Sequence, residues 1–211
     1  PGPVLLDIPD DVQRMIIDEK KLIKFTPNKV LKKNVKNTSK VIDLINKSKR
    51  PTIIFGSGVN KYSDDKKILN FLNKTKIPFL TTWGAKSLLN NHKLNFGTFG
   101  THGTRSGNFC VQNSDLLIVI GSRLSTRETG SPIKLFARDA KIIIVDIDIH
   151  EISKFKKLKK KIFLSYNNDS LDFINQFMKD AKNNNFFNKK NWVSYNLKVK
   201  ETFKRKFSKS Q

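Results

Sequence analysis

Two apolar patterns alternate along the chain. Short segments of successive apolar residues occur at Thr52–Phe55, Pro78–Thr81, Leu116–Ile120, Lys141–Val145 and Ile162–Tyr166. Leu116–Ile120 (LLIVI) has no polar break at all, as expected of a strand covered on both faces in a parallel sheet. Between these segments the apolar residues fall at helical spacing. Val41, Leu44 and Ile45 share a face behind a Thr38 or Ser39 cap. A helix beginning near Asp64 buries Ile68, Leu69 and Leu72, a third helix carries Phe109, Cys110 and Val111, and a fourth buries Leu171, Ile174 and Phe177. Shorter helical turns are predicted around Leu88 and Leu89 and at Ile133–Ala137, a glycine-rich loop at Gly97–Gly107, and His150–Ile152 leads toward the last strand. This repetition of strand and helix with short connections predicts an α/β fold: a doubly wound parallel sheet, Rossmann-like, with helices on both faces.

The two ends read differently. Val4–Ile8 has a short buried-strand pattern ended by Pro9, with Asp10 and Asp11 starting a turn, and no strand nearby in sequence to pair with. Residues 18–37 are polar, lysine-rich and broken by Pro27, a linker composition. Asparagine and lysine dominate 179–190, after which Trp192, Tyr195, Leu197 and Phe203 mark an amphipathic segment heading out of the domain. The expected division is 1–17, a linker at 18–37, a main domain at 38–180 and a second linker at 181–211.

Composition narrows the function classes. The 211 residues are enough for one substantial core, and the chain starts at Pro1, as an excised segment would. No apolar run approaches the roughly 18 residues of a membrane span, so no membrane partner is expected. The one cysteine, Cys110, rules out an internal disulfide and fits a reducing, cytoplasmic compartment. The formal charge is +23, from 41 basic and 18 acidic residues. The excess is nearly all lysine and comes with abundant asparagine, isoleucine and phenylalanine, all residues with AT-rich codons, so genome composition accounts for it. The lysines lack the aromatic interleaving of a base-stacking surface, and no nucleic-acid partner is expected. The densest run, Lys154–Lys161, reads as a solvated connection.

Candidate chemistry gathers where strands end, the place where open α/β sheets bind ligands. Every glycine except Gly2 lies between positions 56 and 130. Gly56-Ser57-Gly58 follows a strand and precedes a helix, so it either presents amides to a phosphate or forms an ordinary turn; a dinucleotide fingerprint would want a third glycine where Lys61 stands. After Leu116–Ile120, Gly121 allows a turn, and Arg123 and Arg127 follow in one loop closed by Gly130. These arginines are either a polyanion clamp or two solvated side chains. Asp146 occupies the place of a ribose-binding carboxylate, with turn aspartate and, with Asp148, metal ligand as the other readings. His102, between Gly100 and Gly103, has no acid or serine partner in sequence and reads as a packing or ligand-contacting residue. Cys110 reads as core. Together these features suit an extended anionic ligand such as a dinucleotide.

The same residues resemble a known family. GPVLLDIPDDVQ at 2–13 is similar to the end of the pyrimidine-binding domain of thiamine diphosphate enzymes of the acetolactate synthase type. FGTHGT at 99–104, DLLIVIGSRLSTRETG at 115–130 and VDID at 145–148 resemble successive motifs of that family's central domain, and the similarity runs over about residues 1–178. From Trp192 the chain resembles the connection to a third, C-terminal domain. The resemblance implies a carboligase or decarboxylase of 2-keto acids that binds thiamine diphosphate and Mg²⁺ between domains of two subunits in a homodimer or homotetramer. It also implies a central sheet of the DHS-like NAD/FAD-binding type, which in acetolactate synthases holds FAD in a largely structural role. Carried over by motif, the FAD contacts are Gly56, Gly58, Thr81, Thr82, Gly100, His102, Gly121, Arg123, Arg127, Asp146 and Ile147. Two departures stand out: Ser125-Thr126 replaces the family's acidic pair between the arginines, and a serine separates the first two glycines. The activating glutamate is expected upstream of Pro1 and the Gly-Asp-Gly Mg²⁺ motif downstream of Gln211, so this segment alone is not expected to be catalytic. The alternative from another class is a stand-alone flavin- or NAD-binding module. A sirtuin-like deacetylase is disfavoured, because one cysteine cannot build a Cys₄ zinc site.

Overall fold

The computed structural model describes residues 3–26, 34–60, 65–157, 162–186 and 189–204. The chain forms two compact units, Pro1–Lys32 and Lys33–Gln211. In the first, Asp10–Gln13 forms the short helix α1, with Asp10 and Asp11 in its first turn. A 3₁₀ turn at Glu19–Lys21 is capped by the Asp18 side chain, which accepts from the Lys20 N–H. The expected strand at Val4–Ile8 is not there. These residues have no ladder partner, and without one the backbone stays irregular and the side chains of Val4, Leu5 and Leu6 stay exposed.

The second unit is a six-stranded sheet, parallel throughout, in the order β3-β2-β1-β4-β5-β6. Its strands are β1 (Pro51–Phe55), β2 (Phe79–Thr81), β3 (Asn95–Thr98), β4 (Leu116–Ile120), β5 (Lys141–Val145) and β6 (Leu164–Tyr166). The helices are α2 (Ser39–Lys47), α3 (Ser57–Asn60), α4 (Asp65–Thr75), α5 (Arg105–Asn113), α6 (Thr126–Thr129), α7 (Ile149–Lys157), α8 (Ser170–Asp180) and α9 (Lys190–Thr202). This strand order places a reversal between β1 and β4, where the chain winds outward in both directions and leaves a crevice at the carboxyl ends.

Side chains on successive strand positions enter two cores on opposite faces of the sheet. Ile53, Phe55, Leu116, Ile118, Ile120, Ile143 and Val145 meet α2, α4 and α8 through Val41, Ile45, Phe71, Leu72, Phe173 and Phe177. Ile54, Leu117, Val119, Ile142 and Ile144 face the other way, into a cluster with Cys110, Val111, Ile152, Phe155 and Trp192. Both faces are covered at the centre of the sheet, which is why β4, and β5 after Lys141, are continuously apolar. The α2 start deviates from a simple cap. Thr38 has no side-chain cap bond; its N–H and hydroxyl both donate to Asp180 Oδ2 at 2.7 Å, tying α2 to the end of α8.

Three further expectations change. The stretch Gly97–Gly107 is not all loop, because β3 runs into it as a parallel edge strand beside β2. Asn95 and Gly97 hide it from a hydrophobicity pattern, yet Asn95 is buried and bonds to the Leu89 carbonyl and the Gly97 N–H. The segment from Lys190 does not leave the domain: α9 packs on α5 and β3, and Trp192 is buried with its indole N–H donating to the Pro51 carbonyl at 3.0 Å. His150–Ile152 belongs to a nine-residue helix, α7, that takes in the first part of the Lys154–Lys161 run. The rest of that run, at 158–161, and Asp64 lie outside the described residues. Among the described residues no helix is long and apolar enough to cross a membrane.

Candidate functional site

The carboxyl ends of the strands bring the expected site residues onto one edge of the sheet. β1 and β4 approach most closely. The Gly56 N–H donates to the Ile120 carbonyl at 2.9 Å and the Gly58 N–H to the Gly121 carbonyl at 3.0 Å. A Cβ on Gly56 would stand 2.1 Å from the Gly121 oxygen, so only glycine allows this crossing. The glycines of the first turn therefore serve backbone packing, and their N–H groups are already engaged. Gly56 is buried, and Ser57 and Gly58 are exposed.

The second and third strand ends are joined by stacking. Thr81 and Thr82 are buried, and the Thr82 N–H donates to the Phe55 carbonyl at 2.9 Å. Beyond them Trp83 is exposed and stacks on exposed His102 with ring centroids 5.2 Å apart. The loop carrying His102 is fixed at Gly100 (φ +92°), whose N–H donates to Asn108 Oδ1 at 2.8 Å and whose carbonyl accepts from Asn108 Nδ2. A Cβ on Gly100 would lie 2.5 Å from the Arg127 carbonyl oxygen, which itself accepts the Thr101 N–H at 2.8 Å. Gly100, His102 and Arg127 are thus parts of one interlocked pair of loops.

The arginine loop is built on residues the sequence did not single out. Leu124 adopts φ +46° and is buried in the core, with its N–H donating to the Ser122 hydroxyl. That anchor leaves Arg123 and Ser125, on either side of it, exposed. Ser125 and Glu128 form a capping box for α6, with Glu128 Oε2 accepting the Ser125 N–H at 2.8 Å. Burial pushes the Glu128 carboxyl above its ordinary pKa, against the opposing hydrogen bonds from Ser125 and Ser122 and the charge of Lys154. The Ser-x-x-Glu spacing of Ser125 and Glu128 is the sequence signal that identifies this box.

The two arginines differ in circumstance. Arg123 Nε lies 3.8 Å from Glu151, which also pairs with Lys154, and Lys154 donates to the Arg123 carbonyl at 2.5 Å. Arg127 is exposed and has no carboxylate in ion-pair range among the described residues. At the end of β5, Asp146 is buried, its Oδ1 accepting the Asp148 N–H at 2.9 Å. Burial raises the Asp146 pKa, opposed by that hydrogen bond and by the Arg123 charge and reinforced by Glu151 and Asp148. Ile147 is exposed, and Asn167 Nδ2 pins this turn by donating to the Ile147 carbonyl at 2.8 Å and the Asp146 carbonyl at 3.2 Å. Among the described residues no three His, Cys, Asp or Glu side chains converge as a metal site would require. Cys110 lies on the other side of the fold's chemistry, fully buried beside the Thr52 hydroxyl, with its thiol pushed up to about 12 by burial despite that contact.

This edge offers a guanidinium without an ionic partner, a second half-engaged one, a buried carboxylate and an exposed aromatic stack. As a donor set it fits an extended anionic nucleotide. The family model described as "Thiamine pyrophosphate enzyme, central domain" matches residues 38–168. The chain belongs to that family. The matched span holds all six strands and every strand end described above. Among curated relatives, a probable acetolactate synthase large subunit of Methanococcus aeolicus is 38% identical over 200 residues, 88% of this chain and 33% of that protein. The acetolactate synthase large subunit of Corynebacterium glutamicum is 39% identical over 168 residues, covering 77% of this chain and 26% of the relative. Acetolactate synthase isozyme 1 large subunit of Escherichia coli is 36% identical over 163 residues, covering 74% and 28%. The chain therefore spans between a quarter and a third of the length of these relatives. Membership in the thiamine pyrophosphate enzyme family does not favour the stand-alone module reading.

Proposed function

We propose that the chain is the central domain of an acetolactate synthase-like carboligase that acts on a 2-keto acid such as pyruvate, in a homodimer or homotetramer, and that its strand-end crevice holds FAD. The observation that carries this reading is the match over 38–168 together with relatives that are acetolactate synthase large subunits. Thiamine diphosphate with Mg²⁺, held by other domains, supplies the electron sink for decarboxylation and transfer of the remaining fragment to a second carbonyl. Within this chain, the work is positioning. The interlocked loops at Gly56–Gly58, Gly100–Gly103 and Gly121–Gly130 form a fixed rim; Arg127 and Arg123 face the anionic part of the nucleotide. Asp146 stands where a ribose hydroxyl is bound, and Thr81, Thr82, His102 and Ile147 complete the wall.

The test uses the full-length protein. Arg123→Ala with Arg127→Ala is expected to lose bound flavin on gel filtration, while the unmutated protein keeps the absorbance of oxidised flavin through the same column. An unmutated protein with no flavin band, even after incubation with FAD, overturns the cofactor assignment and leaves the family membership untouched.

A further inference from the structure

A second site lies at the opposite edge of the sheet. Off the amino ends of β1 and β4, an open cavity of about 950 Å³ is bounded by the α2–β1 connection, the end of α5 and the start of α9. Its lining includes Lys47, Lys49, Arg50, Lys189 and Lys190, together with Trp192 and Tyr195. Among the described residues no acidic side chain lines it. Asp115 is engaged by the backbone and hydroxyl of this connection: it accepts the Lys49 N–H at 2.8 Å, the Arg50 N–H at 2.9 Å and the Ser48 hydroxyl.

The cations divide into fixed and free. Lys189 is buried and donates to the Asn46 and Ser48 carbonyls at 3.2 and 2.5 Å, so it forms a built-in positive floor. Arg50 is tied through Nε to the Asn113 carbonyl at 2.5 Å. Lys47, Lys49 and Lys190 are exposed and have no ion-pair partner among the described residues. Beside them Trp192 and Tyr195 stack nearly parallel, 11° apart with centroids at 5.5 Å, and Tyr195 keeps 42% of its surface open. Clustered ammonium groups attract phosphate, and an exposed aromatic ring attracts a base. The cavity is also of the size that small-molecule sites occupy, about 300–1,000 Å³.

We propose that this cavity binds a nucleoside polyphosphate, with Lys47, Lys49 and Lys190 on the phosphates and Tyr195 stacked on the base. The site is separate from the strand-end crevice and does not depend on the flavin assignment. Isothermal titration calorimetry of the full chain with ATP and with inorganic tripolyphosphate tests it. Both ligands are expected to bind, ATP more tightly. Replacing the three exposed lysines (Lys47→Gln, Lys49→Gln, Lys190→Gln) is expected to weaken both by about tenfold or more. Removing equal charge away from the cavity (Lys66→Gln, Lys86→Gln, Lys134→Gln) is expected to leave both within about twofold of the parent. Tyr195→Ala is expected to weaken ATP alone. Absence of heat with either ligand, equal weakening by the two lysine sets, or an unchanged ATP affinity in Tyr195→Ala would each overturn the proposal.

Discussion

Gly56 shows how much of this site is settled by single residues. Its missing Cβ lets the β1 turn lie against the Gly121 carbonyl. Gly56→Ala would force the two turns apart, and we expect it to cost about 3 kcal/mol in urea unfolding. Three carboxyls make opposite pH predictions. Asp146 and Glu128 have raised pKa values, both led by burial, so the folded state holds their protons more tightly than the unfolded chain does. Their contribution is present at low pH and is lost as pH rises from the ordinary carboxylate range through the raised values. Asp146→Asn and Glu128→Gln should flatten that loss. Asp180 is the reverse case. Burial there acts upward, but the hydrogen bonds from Thr38 and Gln176 and the charge of Lys179 outweigh it and lower the pKa. Its contribution is present above the unfolded carboxylate value and is lost as pH falls through the lowered one, and Asp180→Asn should remove that acid-side loss. Urea midpoints measured across pH, from the acid range to neutrality, read both effects.

At the scale of elements, α9 makes the sharpest prediction. Trp192 fills the core beside β1 and donates to the Pro51 carbonyl. Trp192→Ala should cost about 3–5 kcal/mol, read as a lowered denaturant midpoint for the whole domain; a domain of unchanged stability would mean that α9 is not part of the core. The apolar runs and stripes predicted most of the other elements, because β1, β2, β4 and β5 are buried on both faces and α2, α5 and α8 each bury one. What they missed has physical causes. β3 carries Asn95 and Gly97, whose fit depends on side-chain bonding to a neighbouring loop. The Val4–Ile8 pattern is apolar enough for a strand but has nothing to pair with. The candidate site was legible as positions, glycines and arginines at strand ends, but not as mechanics. The Ser125–Glu128 box was open to a local reading through its spacing, whereas the Trp83–His102 stack and the contact of Gly100 with the Arg127 carbonyl join loops far apart in sequence, which no local pattern encodes.

For the molecule as a whole, the strand order and the family match agree on a doubly wound parallel sheet, with its reversal between β1 and β4. The lysine excess first reads as a diffuse consequence of genome composition, yet the fold collects several of those lysines around one cavity at the edge away from the crevice. The central claim, that this domain serves an acetolactate synthase-like carboligase, is tested most directly by assaying the full-length protein with pyruvate, thiamine diphosphate and Mg²⁺. The account predicts one acetolactate and one CO₂ formed for every two pyruvate consumed, with no product when thiamine diphosphate is omitted. Pyruvate left unconsumed by a folded, thiamine diphosphate-loaded protein, or consumed without any carbon–carbon bond formed, would contradict it.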